Sequence, residues 1–428
     1  MYATEADYLR ALESRSVLPE GFRSASIPLL FFPREVEKPA PFEMNLTLLL
    51  CEAATPLFGG VFTKNSFPGA PVILAKKMME RETVRGILVN NKIANVCAPG
   101  GVKTAEAIVS RLSSEIGSPE DCFIPASTGV IGWVLPREEI EGALPALVEK
   151  TGTEPACRSI LDAARGIMTT DAFPKVRSCS VEQGSIVGIA KGAGMIEPDM
   201  ATMLAFILTD IFIPRNTLRR IVRDVCADTF NTISIDGDQS TSDMVLCISS
   251  GIRRGVDPEV FKTALLQVCG TLAEDIVRNG EGTGHVIRVT VTGAADSGQA
   301  KLVGKGIINS PLVKTAVFGN DPNVGRILMA VGDSTGSAGI PVSPESVSVS
   351  IGGQAVFEAG EFKLDQEKEE IVAQYLKNRS LKPEGKRFPE HDRTVDIRID
   401  MDLGRQQATV LGSDLSYEYI RENADYRT

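Results

Sequence analysis

Short apolar runs alternate with amphipathic stretches along this chain, a rhythm that predicts a mixed α/β protein. Val72–Asn90 ends in GILVN, which reads as a strand. Thr104–Gly117 spaces its apolar residues as a helix does, stops at a glycine and is followed by Pro119. Asp121–Pro125 reads as a strand entering the loop ASTGVIG, and Pro136–Lys150 and Pro155–Gly166 as two further helices. Ile186–Ala190 is a strand leading into KGAGMIEPDMATM. Thr202–Ile213 is apolar almost throughout, the pattern of a strand buried on both faces. Asn216–Phe230 puts Leu218, Ile221, Val222 and Val225 on one helical face. Asp257–Asn279 carries boundary signals at both ends: Asp257 to cap it, Pro258 in its first position, Gly280 beyond its last. Val286–Thr292 alternates at period two, Lys363–Asn378 is a charged, solvated helix, and Thr394–Ile399 is another strand. No internal repeat or low-complexity linker occurs, and the two halves, if they are domains, have no flexible hinge between them.

Composition narrows the function. With 428 residues, 43% of them hydrophobic and 23% charged, the chain has the ordinary globular balance and the length for two or three packed layers. Thirty-nine glycines imply tight turns and close backbone approaches. A net charge of −10 without any Lys/Arg-rich block argues against nucleic-acid binding. The longest apolar runs, such as Leu46–Cys51 and Met203–Leu208, fall far short of the roughly 18 residues of a membrane span. The opening MYATEADYLRALESRS has acidic residues and no apolar core, so it reads as neither a secretory nor a mitochondrial leader. The eight cysteines form no C-x-x-C pair, which makes a thiolate zinc site improbable and fits small core hydrophobes in a reducing cytoplasm. Only two histidines are present, His285 and His391, so an activated hydroxyl here calls for another base.

Lys191–Phe206, KGAGMIEPDMATMLAF, is where chemistry concentrates. Gly192 and Gly194 permit positive φ and close approach, Pro198 blocks helix continuation, and the small Ala201 precedes Thr202 at the start of a buried strand. Such a threonine suits a nucleophile made by backbone cleavage. Its hydroxyl attacks the preceding carbonyl, and the freed α-amine, of intrinsic pKa about 8, then serves as base for the same hydroxyl. The plain alternative is a glycine-rich turn entering a core strand, with Thr202 as an ordinary β-former. A phosphate cradle is set aside, because the segment lacks both the third glycine of a dinucleotide fingerprint and the G-K-[ST] of a P-loop.

This segment closely resembles the processing site of the ornithine acetyltransferase family, also called glutamate N-acetyltransferase. The likeness extends to GVFTKNSFPGAPV (60–72), PASTGVIG (125–132), GIMTTDAFPK (166–175), SIDGDQSTSD (234–243), NSPLVKTAVFGNDPNVGR (309–326) and the terminal ENADYRT, in family order. The resemblance implies a layered α/β self-processing fold shared with the DmpA-type aminopeptidases, with mixed sheets flanked by helices. It implies cleavage between Ala201 and Thr202 into an alpha chain, 1–201, carrying the oxyanion-hole loop, and a beta chain, 202–428, starting with the nucleophile. Thr202 then accepts the acetyl group, and Thr128 and Gly129 form the oxyanion hole. Lys191, Glu281, Asn423 and Thr428 contact substrate, with Thr169 as a further contact and Thr170 as the alternative to it. The implied reaction is a ping-pong transfer from N-acetylornithine to glutamate in the cytoplasm, with two alpha and two beta chains per assembly. It needs no cofactor or metal. Some members also accept acetyl-CoA, which these motifs leave open. An aminopeptidase or amidase using the same threonine, and a non-catalytic amino-acid-binding paralogue, are the alternatives.

Several positions depart from the family pattern. NNKIANVCAPGG (90–101) has Lys92 and Ile93 where small residues are usual, GEGTGH (280–285) has His285 in place of a lysine, and Val324 stands where a tryptophan is common. These put substrate identity in question without removing nucleophile or oxyanion loop. His285 itself reads as a strand-edge residue without a catalytic role. GDSTG (332–336) matches the G-x-S-x-G pattern but lacks the strand-turn-helix setting of a nucleophile elbow, so Ser334 is read as a loop residue. Asp236, Asp238 and Asp243 superficially resemble a calcium loop, yet Cys247 occupies the position that requires a glutamate.

Overall fold

The computed structural model describes residues 4–37, 40–118, 122–153, 155–197, 203–381 and 393–425. Ala201, Thr202 and Thr428 lie outside the described residues. The first half runs α1 (Glu5–Arg15), β1 (Phe22–Phe31), β2 (Phe42–Thr55), β3 (Phe58–Phe62), α2 (Ala70–Met78), β4 (Val84–Asn90), α3 (Gly101–Ile116), β5 (Phe123–Ser127), α4 (Arg137–Thr151), α5 (Leu161–Gly166), β6 (Lys175–Val181) and β7 (Gly184–Lys191). The second runs β8 (Leu204–Ile211), α6 (Arg215–Asp228), β9 (Ile233–Ser234), β10 (Met244–Arg253), α7 (Pro258–Arg278), β11 (Val286–Ala294), α8 (Ser297–Asn309), α9 (Pro311–Phe318) and α10 (Val324–Ser337). β12 (Ser348–Ile351), β13 (Gln354–Glu358), β14 (Glu361–Phe362), α11 (Gln366–Arg379), β15 (Val395–Asp400), β16 (Gln406–Ser413) and α12 (Tyr417–Asp425) complete it.

Two sheets stack on each other with helices outside both. One has strand order β1-β2-β4-β5 and the other β3-β10-β8-β7-β6. β8 explains why: every residue is buried, and its two faces belong to different cores. Leu204, Phe206 and Leu208 pack into the core between the sheets, whereas Ala205, Ile207 and Ile211 pack against α6 and α7. On the opposite side, α3 and α4 cover the outer face of β1-β2-β4-β5 through Ile108, Leu112, Leu144 and Leu147. The layering is helix, sheet, sheet, helix, with hydrophobic alternation at period two selecting which core each side chain joins. α7 comes close to β7 because Gly188 leaves room: a Cβ there would stand 2.8 Å from Leu272 Cδ1. A third sheet, β14-β13-β12-β15-β11-β16-β9, is covered on one face by α8, α9, α10 and α11.

The five-stranded sheet interleaves both halves of the chain. β8 runs antiparallel to β7, pairing Leu204 with Lys191, and parallel to β10, pairing Leu204 with Met244. The two halves therefore share one sheet, rather than forming separable lobes.

Two sequence expectations are corrected. Pro155–Gly166 is not one helix but a short 3-10 turn, Ala156–Arg158, followed by α5. The break falls where Ser159 forms a backbone bridge with Val17, which takes precedence over helix continuation. Ser334 is not in a loop: GDSTG lies within α10, and the Ser334 hydroxyl donates to Ala330 O at 2.7 Å, one helical turn back. Six of the eight cysteines are buried, and all eight are unpaired.

Leu272 is fully buried at the α7–β7 contact. Leu272→Ala is expected to cost roughly 2–5 kcal/mol through the cavity it leaves. Calorimetry should show a thermal midpoint lower by several degrees, and an unchanged midpoint would contradict this packing.

Candidate active site

At one end of the two stacked sheets, strand ends and loops enclose a cavity of about 190 Å³. This is below the roughly 300–1,000 Å³ of sites for drug-sized ligands and suits a small, polar molecule. Among the lining residues are Thr128, Gly129, Thr169, Thr170, Lys191, Met203, Glu281 and Asn423. The described residues predicted as site residues thus come together from both sheets and from α12. The loop Ser240–Asp243 also lines the cavity, a contribution that sequence reasoning missed although its motif stood out.

Thr128 and Gly129 follow β5 directly. The Thr128 N–H donates to Asn90 O at 3.1 Å, so the group that Thr128 has left to offer the cavity is its hydroxyl. That hydroxyl oxygen accepts from Lys191 Nζ at 3.1 Å, leaving its own proton to donate elsewhere. Gly129 has φ +121°, and a Cβ there would stand 2.1 Å from Lys92 O. Only glycine fits this turn, which brings its backbone to the cavity wall.

Glu281 lines the same cavity. One carboxylate oxygen accepts from the Thr170 hydroxyl at 2.8 Å and the other from Asn423 Nδ2 at 2.9 Å. Each oxygen keeps a lone pair for a further donor. Its own N–H donates to Ala193 O at 2.8 Å, and Gly194 leaves space for the carboxylate, since a Cβ there would lie 2.4 Å from Glu281 Oε2. Of the two threonines in MTTD, it is Thr170 whose hydroxyl meets Glu281, while Thr169 lines the cavity and donates its N–H to Asp171 at 3.1 Å.

Beneath the cavity lies a buried ion pair, also missed from the sequence. Asp171 Oδ1 accepts from Lys175 Nζ at 2.5 Å and from the Gly192 N–H at 2.8 Å, and both charged side chains are fully buried. Lys175 also donates to Asn279 Oδ1 at 3.1 Å. Burial alone would raise the Asp171 carboxyl, but Lys175, then Lys191 and the Gly192 amide, outweigh it and hold it at about 2. The same burial pulls the Lys175 ammonium down, with Asp171 opposing. The signal available in the sequence was a lysine, Lys175, opening an otherwise half-apolar strand.

The positions that depart from the family pattern sit elsewhere. The Lys92 ammonium lies 5.6 Å over the Phe42 ring, Ile93 is fully buried, and Val324 starts α10. His285 is buried and bonded through Nδ1 to Asp414 Oδ2 at 2.7 Å. None of these four lines the cavity. Asp236 accepts the Met195 and Ile196 N–H groups, so its carboxylate is engaged by backbone.

Lys175→Met strands a buried carboxylate and is expected to cost about 3–5 kcal/mol. Because the folded Asp171 pKa lies below its ordinary 3.8, its contribution is complete above that pH and is lost as pH falls toward 2. The wild-type thermal midpoint should therefore fall more steeply from pH 4 to 2 than that of the variant. Parallel slopes would refute the pairing energetics.

A family model described as the ArgJ family matches residues 37–428. "Arginine biosynthesis bifunctional protein ArgJ" of Rhodococcoides fascians is 42% identical over 373 residues, 86% of each chain. "Glutamate N-acetyltransferase" of Methanopyrus kandleri is 37% identical, over 86% of this chain and 92% of that one. A crystal structure of the arginine biosynthesis bifunctional protein from Bacillus halodurans, 36% identical, covers 53% of this chain and 100% of its own, with a TM-score of 0.46. With a match spanning nearly the whole length, this chain belongs to the ArgJ family.

Proposed function

We propose that this chain is a self-processing N-terminal-threonine acyltransferase of arginine biosynthesis that moves an acetyl group from N-acetylornithine to glutamate. One observation carries the reading. Met203, the residue that follows Thr202, lines the same cavity as Thr128, Gly129, Lys191, Glu281 and Asn423. Family membership and the names of the relatives support it.

Processing begins when the Thr202 hydroxyl oxygen attacks the carbonyl carbon of Ala201. The C–N bond breaks, the nitrogen takes the hydroxyl proton, and an ester links Ala201 to the Thr202 side chain. Water hydrolyses that ester, leaving a carboxylate on Ala201 and a free amine and hydroxyl on Thr202. The fragments 1–201 and 202–428 stay joined because β7 and β8 remain neighbours in one sheet. Two copies of each make the assembly, a cytoplasmic one in keeping with eight unpaired cysteines.

In the transfer reaction the Thr202 hydroxyl attacks the acetyl carbonyl while its α-amine takes the proton. Thr128 Oγ1–H and Gly129 N–H donate to the developing oxyanion, and the Lys191 ammonium beside Thr128 adds positive charge. Collapse expels ornithine, whose leaving nitrogen receives the proton from the α-ammonium. Glutamate then attacks the acetyl ester by the same route in reverse and leaves acetylated. The Glu281 carboxylate, steadied by Thr170 and Asn423, grips the cationic amine of the substrate, with Thr169 and the C-terminal Thr428 as further contacts.

Intact-mass measurement before and after incubation with N-acetylornithine tests this. Two fragments are expected, with an adduct of about 42 daltons on 202–428. Thr202→Ala should abolish both, and Thr128→Val should lower kcat by roughly 10²–10³. An adduct on the Thr202→Ala chain would sink the assignment, and hydrolysis of N-acetylornithine at the transfer rate without glutamate would make the enzyme a hydrolase.

A further inference from the structure

The segment 235–244, conspicuous for its aspartates, grips the chain on both sides of the Ala201–Thr202 junction. Upstream, the Ile235 N–H donates to Ile196 O at 2.7 Å. The Asp236 carboxylate accepts the two successive amides of the turn, Met195 N–H at 2.6 Å on Oδ2 and Ile196 N–H at 2.8 Å on Oδ1. Among the described residues it also accepts from the Asp238 N–H at 3.3 Å and the Tyr419 hydroxyl at 3.3 Å. Downstream, the Met244 N–H donates to Met203 O at 3.0 Å, where the parallel β10–β8 pairing begins.

The turn that Asp236 holds is not one the chain adopts readily. Met195 has φ +57°, a left-handed conformation that persists in a non-glycine residue only where its surroundings enforce it. Paired amides accepted by one carboxylate are such an enforcement, since a charged acceptor makes the stronger hydrogen bond. Glu197 is further anchored by Lys305 at 3.0 Å. Both Glu197 and Met203, the residues flanking 198–202, are thus held, and Asp236 supplies two of the upstream bonds.

We infer that Asp236 is a positioning residue for self-cleavage: by holding the Met195–Ile196 turn against segment 235–244, it sets where the Ala201 carbonyl stands relative to the Thr202 hydroxyl. The inference rests on the proposed cleavage at that bond. Asp236 does not line the cavity. Intramolecular attack is acutely sensitive to placement, so loosening one anchor slows the cut before it affects a reaction whose donors are held by other bonds.

Cleavage of freshly purified full-length chain, followed by intact mass over time, provides the test. Asp236→Asn keeps one acceptor oxygen for two amides and is expected to cut roughly tenfold more slowly, and Asp236→Ala on the order of a hundredfold more slowly. The thermal midpoint of Asp236→Asn should stay near wild type, and kcat per cleaved chain, once cut chain accumulates, within about threefold. If Asp236→Ala does not fold, Asp236→Asn decides. Wild-type cleavage rates in the variants, or a kcat per cleaved chain that falls in step with cleavage, would overturn the assignment. A wild-type chain that never cuts would instead overturn the proposed processing itself.

Discussion

The buried Asp171–Lys175 pair is the interaction on which the rest of the site depends. One carboxylate ties its own neighbourhood, the Thr169–Thr170 loop through the Thr169 amide and the start of β6 through the Lys175 ammonium, to the more distant turn after β7 through the Gly192 amide. Lys175 extends the tie to the end of α7 at Asn279, which also accepts the Ala172 and Phe173 amides. Burying two charges is costly, and an apolar replacement could match the pair in stability. An apolar replacement could not accept two backbone amides and so could not dictate where the loops stand. The pair is worth more as a fixed point than as a source of stability.

From that fixed point the cavity walls follow. Gly192 leads to Ala193, whose carbonyl holds the Glu281 amide, and to Gly194, whose missing side chain makes room for the Glu281 carboxylate. Thr170 and Asn423 then steady that carboxylate from two sides. Lys191, at the end of β7, reaches the Thr128 hydroxyl at the end of a strand of the other sheet. The cavity lining thus carries one ammonium, bonded to Thr128, and one carboxylate, bonded to Thr170 and Asn423. The departures from the family pattern at Lys92, Ile93, His285 and Val324 lie outside the cavity lining.

Much of the fold was legible because its elements are strongly periodic or sharply bounded. α7 begins at Pro258 after the Asp257 cap, as its sequence signals, and α3 ends at Gly117 with φ +65°. β8 is buried on both faces, as its unbroken apolar run implied. Pro155–Gly166 misled because its helical spacing is local, whereas the Val17–Ser159 bridge that breaks it joins residues far apart in sequence. GDSTG, read as a loop because the setting of a nucleophile elbow is missing around it, is helical, with Val331 and Thr335 burying one face of α10. Of the cavity lining, Thr128, Gly129, Lys191, Glu281 and Asn423 were named from their motifs, but Asp171, Lys175 and Asn279 were not, since a lysine opening a strand does not tell which groups will bury it.

The residues by themselves determined the helix and strand faces, the glycines demanded by tight turns, the scarcity of histidine and the family to which the motifs belong. These are local properties, written in side-chain size, polarity and backbone freedom. Only the tertiary structure decided that β7 and β8 lie side by side in one sheet, that segment 235–244 grips the chain both before and after residues 198–202, and that Asp171 is neutralised from beneath rather than exposed to substrate. Those outcomes depend on which distant groups exclude water from one another, and sequence spacing carries no record of that.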